Sequence, residues 1–196
     1  MIDQQPAMFV WAAAVTLAIV AGAWTAMNRR DSRPTLPPEH VAGVAIIGLF
    51  GWEMLVHLPG SVIGYWALTA GLGDVRGVEG HQAYVVAQAA FAVGAAFAVV
   101  GTLRRRTWGV ILGIGLASSR VVWSGLILFE TVSMYGEIMG SDAFLSTVSI
   151  LIGMQAVPAL AAIALLSWPL VRRTTPRAGA SDAEWPAGSA SMEHAE

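Results

Sequence analysis

The chain contains no cysteine and no lysine. The first absence excludes disulfides, thiolate metal ligands, iron–sulfur clusters and a cysteine nucleophile. The second excludes a retinal Schiff base and any other lysine-centred covalent chemistry. All 11 basic residues are therefore arginine. Charge of either sign is scarce, at 12% of the 196 residues, where soluble domains carry about 25%. A net charge of −2 gives no electrostatic basis for binding nucleic acid.

Apolar residues fill the space that charge leaves: 56% of the chain is hydrophobic, with a mean hydropathy of +0.62. Five runs, over 8–27, 41–58, 83–103, 108–130 and 144–171, approach or exceed the length of about 20 residues that crosses a bilayer as helix. The sequence predicts an all-α polytopic bundle of five transmembrane helices in one domain, residues 1–173. A tail over 174–196, rich in Ala, Gly, Ser, Pro and acidic residues, is expected to be disordered and cytoplasmic. No basic residue precedes the first run, whereas Arg29, Arg30 and Arg33 follow it, so it reads as an uncleaved helix.

The arginines then alternate between loops. Arg29, Arg30 and Arg33 mark the first loop as inside, Arg104–Arg105–Arg106 the third, and Arg172, Arg173 and Arg177 the tail. Asp74 and Glu79 with only Arg76, and later Glu137 and Asp142, mark outer loops. By the positive-inside rule this is an N-out, C-in protein, expected in a bacterial cytoplasmic membrane. Residues 61–72 are apolar but too short to span. A break at Pro59–Gly60 is expected there, followed by a short outer interfacial helix anchored by Tyr65 and Trp66.

Glu53 and His57 are the informative pair. They stand four residues apart inside the second run and so share one helix face. An ionisable group in hydrocarbon costs about 2.5–3.5 kcal/mol even on the lenient insertion scale, which makes such a residue a functional candidate. By helix rise, Glu53 lies roughly 8 Å below the outer boundary, at about the depth of Gln88. His81, Tyr84 and Gln88 form one stripe, and Arg120, Trp123, Ser124, Ile127, Glu130 and Thr131 another. Gln155 lies near the midplane of the fifth span.

An acid among Trp52, Tyr65, Trp66, Tyr84, Trp123 and Phe129 suits protonation of an alkene and shielding of the carbocation that results. In that scheme Glu53 donates the proton and His57 tunes or returns it, while Glu130, near a helix end, reads as an interfacial residue. Gln88, Ser124 and Arg120 orient the acid and substrate. A bland alternative stands beside it, in which Glu53 and Arg120 form a structural ion pair across an estimated depth difference of roughly 9 Å. Trp11, Trp108 and Trp168 read as interface anchors, as do His57 and His81. Glu53, His57, His81 and Glu130 carry no metal-ligand spacing, so neither metal nor cofactor is expected.

Two families share fragments of this pattern. Leu49–Phe50–Gly51–Trp52–Glu53 resembles the Asn-x-x-Trp-Glu setting of fungal meroterpenoid cyclases, with leucine in place of asparagine and five spans in place of seven. The resemblance implies Glu53 as proton donor and Glu130 as the counterpart of the second acid that those cyclases carry in their C-terminal half. The five spans and the Glu53/His57 pair also resemble the emopamil-binding-protein family of sterol isomerases, with the pair reversed and Gln88 where that family has an acid. Both resemblances imply acid-catalysed cyclisation or isomerisation of a lipid-soluble terpenoid, polyprenyl or sterol-like substrate. The rival expectation is a non-catalytic subunit, carrier or assembly partner, surrounded by membrane lipids and associating as a homo-oligomer or within a larger complex.

Overall fold

A computed structural model describes residues 5–28, 36–71, 78–135, 145–146, 148–150 and 152–174. The remainder of the expected tail and most of the expected loop charges lie outside these residues. Five helices are long and apolar enough to cross a membrane, and the described residues form no strand. In chain order they are α1 (Gln5–Asn28), α2 (Pro38–Thr69), α3 (Val78–Leu103) and α4 (Thr107–Tyr135). A π-helical turn, Ile152–Ala156, then leads into α5 (Val157–Thr174).

Lipid tails are as apolar as leucine, so helices in a bilayer associate through close packing of small residues. Gly51 of α2 shows this: a Cβ built there would lie 2.5 Å from the Ala95 Cβ of α3. Further contacts pair Gly22 with Leu112, Gly115 with Ala18 and Gly43 with Leu166. These pairings run α1 antiparallel to α4, and Gly64 on His81 together with Gly51 on Ala95 runs α2 antiparallel to α3. Gly109 and Gly113, the small pair legible in the sequence, both serve packing: Gly109 lies on Gly101 and Thr102, Gly113 on Leu166. Trp11, Ile47, Phe91, Leu116 and Leu166 fill the centre.

The α3–α4 hairpin ends α3 in a Schellman motif. Arg106 N–H donates to the Gly101 carbonyl and Arg105 N–H to that of Thr102, both at 2.8 Å. Arg105 carries the left-handed backbone at φ 61° that this motif requires. Thus the arginine triplet caps one end of the bundle, beside the end of α1 and the start of α2. There His40, fully buried, donates from Nε2 to the Leu166 carbonyl of α5 at 3.1 Å.

The expected break at Pro59–Gly60 does not occur, and no separate interfacial helix follows. Instead α2 runs unbroken through Pro59 for 32 residues, about 48 Å by helix rise. Proline removes the N–H that the Leu55 carbonyl would accept, yet the next turns stay helical. Ser61 Oγ donates to the His57 carbonyl at 3.3 Å. His81 Nε2 donates to the Ser61 carbonyl at 3.0 Å, tying the far half of α2 to the start of α3. His81→Ala is therefore expected to speed hydrogen exchange at amides 62–69 while leaving those before Pro59 unchanged. Exchange mass spectrometry reads this directly, and uniform protection along α2 in the variant would contradict it.

Candidate functional site

Three helices bring the polar stripes together. From α4, Arg120 points into the bundle and is only 1% exposed. Its Nη2 donates to Glu53 Oε2 of α2 at 2.6 Å, the short length of a charge-assisted bond. Its guanidinium also lies 5.2 Å from the centre of the Phe50 ring, within cation–π range. Met54 Sδ approaches Nη1 at 4.0 Å. The estimated depth difference between Glu53 and Arg120 is thus spanned by a long side chain. Counting rise along straight parallel helices leaves out both helix tilt and arginine's reach.

From α3, Gln88 is fully buried, and its Nε2 donates to the Met54 carbonyl at 3.0 Å. Gln88 and Arg120 therefore grip the same residue of α2 from two sides. The Arg120 Nε, Gln88 Oε1 and Gln155 Oε1 atoms are buried with no hydrogen-bond partner. Gln155 sits in the π-helical turn, a widened form common near functional sites. Ser124 serves its own helix, donating from Oγ to the Arg120 carbonyl at 2.9 Å; it does not orient Glu53.

The aromatic side chains divide. Tyr84, Trp123 and Trp11 form a triangle with ring centres 5.1–5.3 Å apart, and Phe91 and His81 extend it. Trp11 is no interface anchor: it is fully buried at the centre of the bundle. Its spacing from Val15 and Ala18, also buried, was the available signal, because i, i+4 and i+7 share one face. Tyr84 stands one turn before Gln88 on α3 and Trp123 three residues past Arg120 on α4, so the triangle adjoins the residues that grip Met54. Trp52, Trp66 and Phe129, expected to line the same pocket, point outward instead. Adjacent positions on a helix diverge by about 100°, so Trp52 cannot follow Glu53 inward.

Tyr65 lies half-buried on the far part of α2, and His57 is exposed one turn beyond Glu53. Glu130, half-buried, stands ten residues past Arg120, about 15 Å along α4, and does not join the pair. The side chain of Thr131 lies outside the described residues. Among the described residues no three His, Asp or Glu side chains gather as a metal site.

Glu53 itself is 36% exposed. Its Oε2 accepts from the guanidinium, and the carboxyl group also shows at the bundle surface. Two cavities, of about 560 and 430 Å³, lie away from it, along α1 and α3. The described residues thus form a bundle with five apolar helices long enough to span, cross-braced by the Glu53–Arg120 carboxylate–guanidinium pair. Compared with known proteins, the chain matches no family, no curated protein and no solved structure.

Proposed function

We infer that this protein is a non-catalytic membrane subunit that associates with a partner helix through one face of α2. The observation that carries the reading is the Glu53–Arg120 bond at 2.6 Å, with the arginine buried and the carboxylate over a third exposed. The arginine requires an anion inside the bundle, and Glu53 supplies it. The same carboxylate, with His57 beyond it and Trp52 and Val56 beside it, gives α2 a polar seam at its surface. Polar surface facing acyl chains is costly, and a partner helix that hydrogen-bonds to it removes the cost. The arginine-bearing loops support an N-out, C-in seat in a bacterial cytoplasmic membrane.

The absence of cysteine supplies a clean test. Val56→Cys on the seam and Leu17→Cys on α1 are both lipid-exposed positions, each the only thiol in its variant. Photocrosslinking from these thiols in native membranes should give one discrete adduct from position 56 and none from position 17. Equal labelling from both, or none from either, removes the assembly reading.

One observation favours a second reading. A partly exposed acid backed by the Tyr84–Trp123–Trp11 triangle also suits the acid-catalysed cyclase or isomerase scheme for a lipid-soluble substrate. Its signature is a Glu53→Gln variant that folds normally and has lost turnover.

A further inference from the structure

The larger cavity opens a groove between α1, α3 and α4, on the side of the bundle remote from the ion pair. It holds about 560 Å³ and its wall is almost wholly apolar. Gly22, Ala23 and Ala26 of α1 face Ala90 and Gly94 of α3, and Trp108 of α4 closes one end. Small side chains on α1 and α3 leave a trough where larger ones would meet. The lining positions on α3 run from Ala89 to Phe97, about 12 Å by helix rise, which suits a stretch of one extended acyl chain.

The end closed by Trp108 is the arginine end. Trp108 follows Arg106 by two residues and packs on Gly101, 2.6 Å from where a Cβ would stand. Arg104, Arg105 and Arg106 are all exposed there. The opposite end of this side carries Glu79, in the wall of the second cavity, which shares Ala90 with the first. The groove is therefore polarised, cationic at one mouth and acidic beyond the other. Guanidinium groups match phosphate oxygens in fork geometry, and basic clusters at the cytoplasmic end of membrane helices attract anionic lipid.

We propose that this groove is a binding site for one anionic phospholipid, its acyl chain lying along α1 and α3 and its phosphodiester held at the Arg104–Arg106 hairpin. A zwitterionic lipid fills the trough equally well but brings its own cation to the arginines. The site therefore selects on net headgroup charge. The Glu79 end disfavours the reverse orientation by like-charge repulsion.

The test uses the full chain extracted from vesicles of equimolar phosphatidylglycerol and phosphatidylcholine, with retained lipid counted by native mass spectrometry. The wild type should keep one phosphatidylglycerol per chain, several-fold in excess over phosphatidylcholine. Arg104→Gln with Arg106→Gln, which leaves the left-handed turn at Arg105 in place, should bring the two lipids close to parity. Ala23→Phe with Ala26→Phe fills the trough from lipid-exposed positions without touching charge, and should abolish retention of both. Equal retention of the two lipids by the wild type overturns the proposal, as does an unchanged phosphatidylglycerol count in the trough-filled variant.

Discussion

Arg120→Met is expected to lose roughly 3 kcal/mol of stability, most of which returns when Glu53→Met is added. Removing one member of a buried ion pair costs about 3–5 kcal/mol, because the survivor keeps its charge without compensation. Here the stranded group is Glu53, and its 36% exposure places the loss toward the lower limit. Replacing both members by apolar side chains of similar volume is often neutral or stabilising, and Phe50 and Met54 already surround the site with apolar groups. Glu53→Gln should cost at least as much as Arg120→Met, since its amide oxygen still accepts from the guanidinium but leaves a cation only 1% exposed without an anion. Unfolding by SDS titration in mixed micelles, run on the two methionine variants and their combination, measures the coupling. An Arg120→Met variant as stable as wild type would show that the pair contributes nothing. A double variant as damaged as either single one would show that the pair contributes net stability of its own, beyond relief of a stranded charge.

Gly109→Ala should cost about 3 kcal/mol, at the upper end for overpacking. The added methyl group would fall on the Thr102 backbone nitrogen and 2.5 Å from the Gly101 carbonyl carbon. Side chains relieve such contacts by changing rotamer; backbone cannot, least of all within a three-residue hairpin closed by two 2.8 Å bonds. Gly125→Ala is the matched control on the same helix. Its Cβ meets nothing within 4 Å, and alanine's helix propensity should make it neutral or stabilising by up to about 1 kcal/mol. Thermal unfolding in the same detergent compares the two. Similar midpoints for both variants would mean that the hairpin tolerates separation of α3 from α4.

The spans were legible because hydropathy over twenty residues integrates a strong signal, and a helix long and apolar enough to cross a membrane overlaps each run. Polar stripes able to face one another, through Glu53, Gln88, Tyr84 and Arg120, were legible from helix spacing, whereas their convergence depends on how five helices are arranged and rotated, which spacing does not fix. Their hydrogen bonds were not legible either. Ser124 turned to its own helix, and Gln88 chose a backbone carbonyl over the acid. Such choices depend on ångström-level approach, which periodicity does not encode. Pro59 misled because a proline removes one bond of a membrane helix without having to end it, and His81, from another helix, braces α2 beyond that point at the Ser61 carbonyl. Trp11 misled because tryptophan's liking for the interface is a statistical tendency, overridden when its neighbours Val15 and Ala18 face the core. The apolar groove left no trace beyond alanine and glycine content, which tight packing also explains.

The unbroken α2 bears on which membranes suit this protein. Its 32 residues extend about 48 Å, against a hydrocarbon thickness of about 30 Å. Even a steep tilt near 40°, the upper end of the range for membrane helices, leaves several ångströms of this helix outside the core. The projecting turns carry Tyr65 and Trp66, whose rings are suited to the headgroup layer. The bundle is thus mismatched to a thin bilayer and better matched to a thick one. Lipid acyl length becomes a variable that acts on α2 before any other helix.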